Sequence, residues 1–121
     1  MNYESVAVVE SRLAPGVTFA VERMSFGRRM ELMRRIRDLA RRAEFLEAGG
    51  KPGERMEAAL LKSEIDRQFL LWGLRGISGL QVDGADATPE SLAERGPEDL
   101  CREALAAVRQ ETGLDEAQRK N

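Results

Sequence analysis

Few of the side chains that usually carry enzyme chemistry occur in this chain. It contains no histidine, which is the commonest general base and metal ligand in proteins. Its one cysteine, Cys101, therefore lacks the imidazole that usually activates a thiol nucleophile. Cys101 follows Leu100 on an apolar helix face, where a small core residue is expected. We predict no catalytic residue, no metal site and no cofactor, and therefore a protein that is not an enzyme.

The carboxylates and the glycines do not indicate a ligand site either. Acidic pairs such as Glu44 and Glu47 lie at the spacing of a solvated helix face. Glycine occupies every third position after Trp72, at 73, 76 and 79. These glycines match neither GxGxxG nor GxxxxGK[ST], and they follow a helical pattern rather than a strand. We interpret residues 73–87 as a glycine-rich connector and not as a phosphate-binding loop.

Length and composition predict one small domain. The chain has 121 residues, 33% of them charged, and a net charge of −2, which gives no global attraction to nucleic acid or acidic lipid. Its apolar runs are too short to span a bilayer, and the first residues lack the features of a secretory signal. A single cysteine suits a reducing compartment. We therefore expect a cytoplasmic protein without a membrane partner.

Alternating residues near the N-terminus predict a β-hairpin within residues 1–24. Two short segments alternate apolar with polar or small residues: Val6 and Val8 in the first, and Val17, Phe19 and Val21 in the second. Pro15-Gly16 between them suits the centre of a tight turn, so strands are expected near 4–11 and 17–23. The register stays open, because Ala7 and Val9 are apolar too. Two strands alone are only marginally stable, so a helix or a third strand must cover them.

A helical hairpin is expected over residues 25–72. Ser25 is a suitable N-cap, and the apolar residues after it are spaced by four and three: Leu32, Ile36, Leu39, Ala43 and Leu46. This spacing predicts one helix to about residue 48 with a single inner face. The short link GGKPG and a second apolar pattern over about 54–72 predict an antiparallel partner helix.

The C-terminal third is expected to hold a connector, two short helices and a tail. A helix through residues 73–79 would contain three glycines, at a cost of about 3 kcal/mol, so we place Gly73 in the left-handed position that ends a helix. A third short strand is expected near 79–83. Thr88-Pro89 and Gly96-Pro97 predict helix starts within 88–113, and 114–121 is left as a tail. The expected fold class is α+β, mostly helical.

Two features of the sequence suit a partner. Residues 23–42 hold eight arginines against two acids. In one hypothesis this helix contacts nucleic acid through Arg28, Arg34, Arg35, Arg41 and Arg42, although no aromatic residue is interleaved among them. The other feature is the apolar stretch with Phe69, Trp72, Leu74, Ile77 and Leu80. It either forms core for the N-terminal hairpin or borders a groove for a partner's apolar helix or for another subunit. Leu74 is expected to be the most accessible of these, because it lies at a helix end.

The order of motifs over residues 69–112 favours the second hypothesis. The pattern W-G-L-x-G-I-x-G-L-x-V-D-G, followed by A-T-P-E-S-L and G-P-E-D-L-x-x-E, resembles the C-terminal half of small tail-assembly chaperones of tailed bacteriophages and prophages. The resemblance implies a non-enzymatic protein of the bacterial cytoplasm. It also implies that the partner is an apolar segment of a tape-measure protein or of another tail protein. The N-terminal hairpin and the arginine-rich helix lie outside the resembling segment.

Overall fold

The computed structural model describes residues 1–113, so the expected tail at 114–121 lies outside the described residues. The fold is α+β and mostly helical, as predicted. Its strands are β1 (Val6–Glu10), β2 (Thr18–Glu22), β3 (Leu74–Ser78), β4 (Gln81–Val82) and β5 (Ala85–Asp86). Its helices are α1 (Phe26–Gly49), α2 (Pro52–Gly73), α3 (Pro89–Arg95) and α4 (Glu98–Thr112).

Strands β1, β2 and β3 form one antiparallel sheet in that order, which confirms the N-terminal hairpin and its third strand. The third strand does not lie near 79–83, however. It begins at Leu74, directly after α2, and pairs with β2 through Phe19↔Ile77. Residues 81–82 instead form a separate two-residue ladder with β5, closed by Asp83 and Gly84 in left-handed conformations. The third strand lies earlier than expected because α2 leads directly into the sheet, without a connector between them.

The position of Gly73 was also predicted wrongly. Gly73 is the last helical residue and does not adopt a left-handed φ; the cap is Leu74, which is extended and donates its N–H to Leu70 O. A glycine is needed at 73 because a Cβ there would lie 3.0 Å from Val108 Cγ2 and closer still to Cγ1. Among the glycines at 73, 76 and 79, the one with a left-handed backbone is Gly79, with φ +82°.

The helical hairpin forms as expected. Ser25 Oγ accepts a hydrogen bond from the backbone N–H of Arg28 at 3.2 Å, and α1 ends at left-handed Gly50. The buried residues of α1 are Leu32, Ile36 and Ala43, which belong to the predicted inner face. Helix α1 packs chiefly along α2, whereas α2 also packs against α3 and α4. The hairpin is therefore attached to the rest of the fold mainly through α2.

The main core lies between the sheet, the end of α2 and the two C-terminal helices. Its fully buried side chains include Phe19, Val21, Leu92, Ala104 and Val108. Helix α3 starts at a reciprocal capping box between Thr88 and Ser91, as its sequence indicates. Helix α4 packs against β2, so its apolar face supplies the cover that the N-terminal hairpin needs.

Candidate partner-binding surface

The predicted apolar groove is mostly core. Phe69, Trp72 and Leu74 are only 2%, 4% and 3% exposed, and Ile77 and Leu80 are half-buried against the same cluster. The expectation that Leu74 is accessible was wrong. Leu74 is the first residue of β3 and is paired with Val21, so the sheet places it inside instead of leaving it at a free helix end.

Arg28 is a structural residue and differs from the other predicted arginines. Its guanidinium stacks over the Trp72 ring at 4.6 Å from the centroid, and Nη2 donates to the Trp72 carbonyl oxygen at 2.7 Å. Nη1 donates to Glu31 Oε2 at 2.7 Å. The Trp72 carbonyl belongs to the last turn of α2, where the helix dipole favours a cation. Arg28 therefore links the start of α1 to the end of α2.

Buried Glu22 completes this link from the sheet. It is 8% exposed, and its Oε1 accepts a hydrogen bond from Arg75 Nη1 at 2.9 Å and lies 3.9 Å from Arg28 Nη2. A buried carboxylate is costly unless it is paired, and these two arginines supply its ion-pair partners. Two buried donors, Arg28 Nε and Trp72 Nε1, have no hydrogen-bond partner among the described residues. The contacts with Glu22, Glu31 and Trp72 explain the position of the Arg28 side chain without any bound ligand.

The other predicted arginines remain available. Arg34, Arg35, Arg41 and Arg42 are exposed, and within residues 1–113 none of them forms an ion pair. The basic groups of the C-terminal half pair instead with nearby acids, as in Arg95 with Asp83, Arg102 with Glu98, and Arg109 with Asp66. Within residues 1–113, the charges of these four arginines are therefore not neutralised by ion pairs with the acidic half of the chain.

The hairpin also exposes large apolar side chains that the sequence analysis missed. Their exposed fractions are 85% for Phe26, 43% for Met30, 52% for Met33, 78% for Phe45, 71% for Met56 and 66% for Leu60. On α1 these residues lie off the inner stripe, and Phe26, Met30 and Met33 follow at i, i+4 and i+7. That second spacing was visible in the sequence. Exposed apolar residues beside unpaired arginines make the hairpin the strongest candidate for a partner-binding surface.

A shallow cleft lies near the tip of the hairpin. It has a volume of about 400 Å³ and is lined by Arg41, Arg42, Phe45, Leu46 and Glu57. We call these five residues the tip cleft. Leu60 follows Glu57 by three residues on α2, so helical geometry places it beside the cleft. The aromatic ring of Phe45, immediately after the arginine run, thus shares a cleft with two arginines.

A second cavity of about 400 Å³ opens between α2, α3 and α4, and Cys101 lines it. Cys101 is half-buried, whereas the sequence analysis predicts a buried core residue. Burial is the main cause that raises the pKa of its thiol, and Glu98 adds to this, while Arg102 opposes it. At neutral pH the side chain is thus a thiol, which is a poor nucleophile. Within residues 1–113, no three potential ligand side chains form a group that could hold a metal.

No described helix combines the length and apolar character needed to cross a membrane. Comparison with protein-family models, with curated proteins and with solved structures gives no match.

Proposed function

We propose that this protein is a non-enzymatic, chaperone-like protein that holds an apolar, acidic segment of another protein on its α1–α2 hairpin. The observation that carries the proposal is the exposure of Phe45 in a cleft with Arg41 and Arg42, which form no ion pair within residues 1–113. Met56 and Leu60 on the neighbouring helix α2 are exposed as well. Contiguous apolar surface is rarely exposed on a monomer unless it binds something. Because α1 packs chiefly along α2, its outer side remains open to a partner.

The chemistry of the hairpin suits a varied helical partner. Three of its exposed apolar residues are methionines, Met30, Met33 and Met56, and methionine side chains adapt to apolar surfaces of different shape. Arg34, Arg35, Arg41 and Arg42 add a positive field that steers an acidic partner and rejects a basic one. An amphipathic helix with acidic flanks matches both features, since its apolar row is presented at i, i+3, i+4 and i+7.

Together with the motif resemblance, this surface supports a role as a tail-assembly chaperone in the bacterial cytoplasm. The partner would be an apolar segment of a tape-measure protein or of another tail protein. The binding surface then differs from the groove expected at residues 69–80, because Phe69, Trp72 and Leu74 are core. In this proposal the resembling segment builds the scaffold and the hairpin engages the partner.

The test is a binding titration with helical peptides tiled along the tape-measure protein encoded nearest to this gene. Phe45→Ser and Leu60→Ser should each weaken binding of the best peptide at least about tenfold, since truncated anchors typically cost more than 1 kcal/mol. Leu13→Ser is the matched control, because Leu13 is 56% exposed and lies in the β1–β2 turn, outside the hairpin surface. All three variants should melt like the wild type.

The nucleic-acid hypothesis remains a second candidate because Phe45 shares the tip cleft with Arg41 and Arg42. A charge-reversal variant decides between the two. We expect random-sequence single-stranded DNA to bind no tighter than about 10⁻⁴–10⁻⁶ M at physiological salt. Nanomolar DNA affinity that is lost in an Arg41→Glu, Arg42→Glu variant, together with no peptide binding, would reject the chaperone proposal and favour nucleic acid.

A further inference from the structure

Strand β1 has an unpaired outer edge. The sheet order places β1 next to β2 only. Ser11 N donates to Val17 O and Arg23 N to Ser5 O, both at 2.9 Å, so the odd-numbered residues of β1 direct their backbone groups towards β2. The N–H and C=O groups of Val6, Val8 and Glu10 therefore point away from the sheet. No hydrogen bond from another described segment reaches them.

The sheet face at Val8 is also open. Val8 is 71% exposed, and across the sheet it neighbours half-buried Ala20 and then Gly76. A Cβ added to Gly76 would meet no atom within 4 Å, so there is free space at that point of the face. Proteins usually protect an edge strand with lysine, proline or a bulge, but Val6–Glu10 contains neither residue and pairs with β2 in unbroken register.

We propose that β1 pairs with β1 of a second copy, antiparallel, across a two-fold axis at Val8. The two three-stranded sheets then form one sheet of six strands. Only even-numbered residues offer outward backbone groups, so they must face even-numbered residues of the second copy. One register uses all three of them: Val8 faces Val8 of the second copy, and Val6 faces Glu10 of the second copy.

The residues that flank β1 suit the same two-fold relation. Tyr3 and Leu13 are 58% and 56% exposed and lie at opposite ends of the strand. The two-fold axis brings Tyr3 of one copy to the same end as Leu13 of the other, which covers apolar surface on both. It likewise brings acidic Glu4 near basic Arg12 of the second copy. This self-complementarity favours a second copy over an unrelated extended peptide.

The expected dimer is weak, because five-residue strands bury less surface than a standard interface. Sedimentation equilibrium from micromolar to millimolar concentration should show the 13.5 kDa monomer giving way to a species of twice that mass. Val8→Pro removes only an outward N–H, which an edge strand tolerates, so it should remain monomeric. Val8→Thr keeps the backbone donor and should dimerise like the wild type. A wild-type chain that stays monomeric at millimolar concentration overturns the proposal.

Cysteine cross-linking tests the register even where Val8→Pro fails to fold. The background is Cys101→Ser, so that each variant carries one thiol. Val8→Cys should form a disulfide-linked dimer under mild oxidation, because residues in a hydrogen-bonded pair have Cα atoms about 5.5 Å apart. Glu10→Cys should not, since its copies lie four residues apart along the strands, about 13 Å. Dimers that cross-link at residue 10 but not at residue 8, or that persist in Val8→Pro, would show that another surface associates.

Discussion

Replacing Gly73 by alanine gives the sharpest test of the structure, because two physical effects predict opposite signs. Gly73 ends α2, and alanine is up to about 1 kcal/mol more favourable than glycine in a helix interior. If helix propensity decided the outcome, Gly73→Ala would stabilise the protein. The structure instead places a new Cβ 3.0 Å from Val108 Cγ2 and nearer still to Cγ1, and Val108 is fully buried.

The steric effect should dominate. Valine is stiff at χ1, and Val108 lies in the closed core, so the contact cannot be relieved by turning the side chain. Overpacking of this kind costs about 1–3 kcal/mol, and after the helical gain we expect a net loss of about 1–2 kcal/mol. That loss lowers the melting temperature by roughly 4–10 °C for a chain of this size. Gly76→Ala is the matched control, because its new Cβ meets nothing within 4 Å and its stability should be unchanged or slightly higher.

A double-mutant cycle identifies the cause. Val108→Ala alone should destabilise by creating a cavity, but the methyl group introduced at position 73 fills part of that space in the double variant. The Gly73→Ala, Val108→Ala protein should therefore be more stable than the sum of the single changes by about 1–3 kcal/mol, measured by urea denaturation. Strict additivity, or a higher melting temperature for Gly73→Ala alone, would refute the packing that we describe between α2 and α4.

Two further predictions concern charged residues. Arg28→Met should lower the free energy of unfolding by about 2–3 kcal/mol, because the Trp72 carbonyl and buried Glu22 lose a cationic partner. Arg35→Met on the exposed face is the control and should change it by less than about 0.5 kcal/mol. Equal effects of the two substitutions in chemical denaturation would contradict the structural role of Arg28. At Glu103, burial raises the carboxyl pKa, but hydrogen bonds from Ser11 Oγ and from the backbone N–H groups of Arg12 and Leu13, with the charge of Arg12, together lower it below its ordinary value. A lowered folded-state pKa contributes stability that is present above the ordinary carboxyl value, about 4.3, and is lost as pH falls through the folded value. The free energy of unfolding of the wild type should therefore exceed that of Glu103→Gln at neutral pH, and this difference should shrink as pH falls from about 5 to about 3. A difference that stays constant with pH would show that the charge of Glu103 does not stabilise the fold.

Local patterns predicted the elements of this fold well because most of its elements are regular. Period-two alternation identified β1 and β2, and the four-three spacing after Ser25 identified the inner face of α1. Capping chemistry also predicted the starts of α1 and α3. These signals depend on residues close in the chain, so they need no knowledge of tertiary contacts.

The glycine-rich stretch was misplaced because its constraints are tertiary. Gly73 looked like a helix terminator, but its lack of a side chain serves a contact with Val108, which lies far away in the sequence. Leu74 looked accessible because it ends a helix, yet β3 starts there and turns it into the core. The candidate surface was misjudged for the same reason. No local pattern indicates that α1 packs chiefly along α2, so the second apolar row of Phe26, Met30 and Met33 was not recognised as exposed.

The motif resemblance and the proposed binding surface fall on different parts of the molecule, and this separation constrains how variants should behave. Within 69–112, the large apolar residues Phe69, Trp72, Leu92 and Leu100 are buried, so changes there act first on folding. The tip cleft lies toward the far end of α1 from the Arg28 link, and its residues are not part of the main core. The proposal therefore predicts that changes there weaken binding and leave the melting temperature unchanged. Loss of partner capture by Trp72→Ala would therefore show only that the fold has failed. Loss of capture by Phe45→Ser with an unchanged melting temperature is the outcome that assigns the partner to the hairpin.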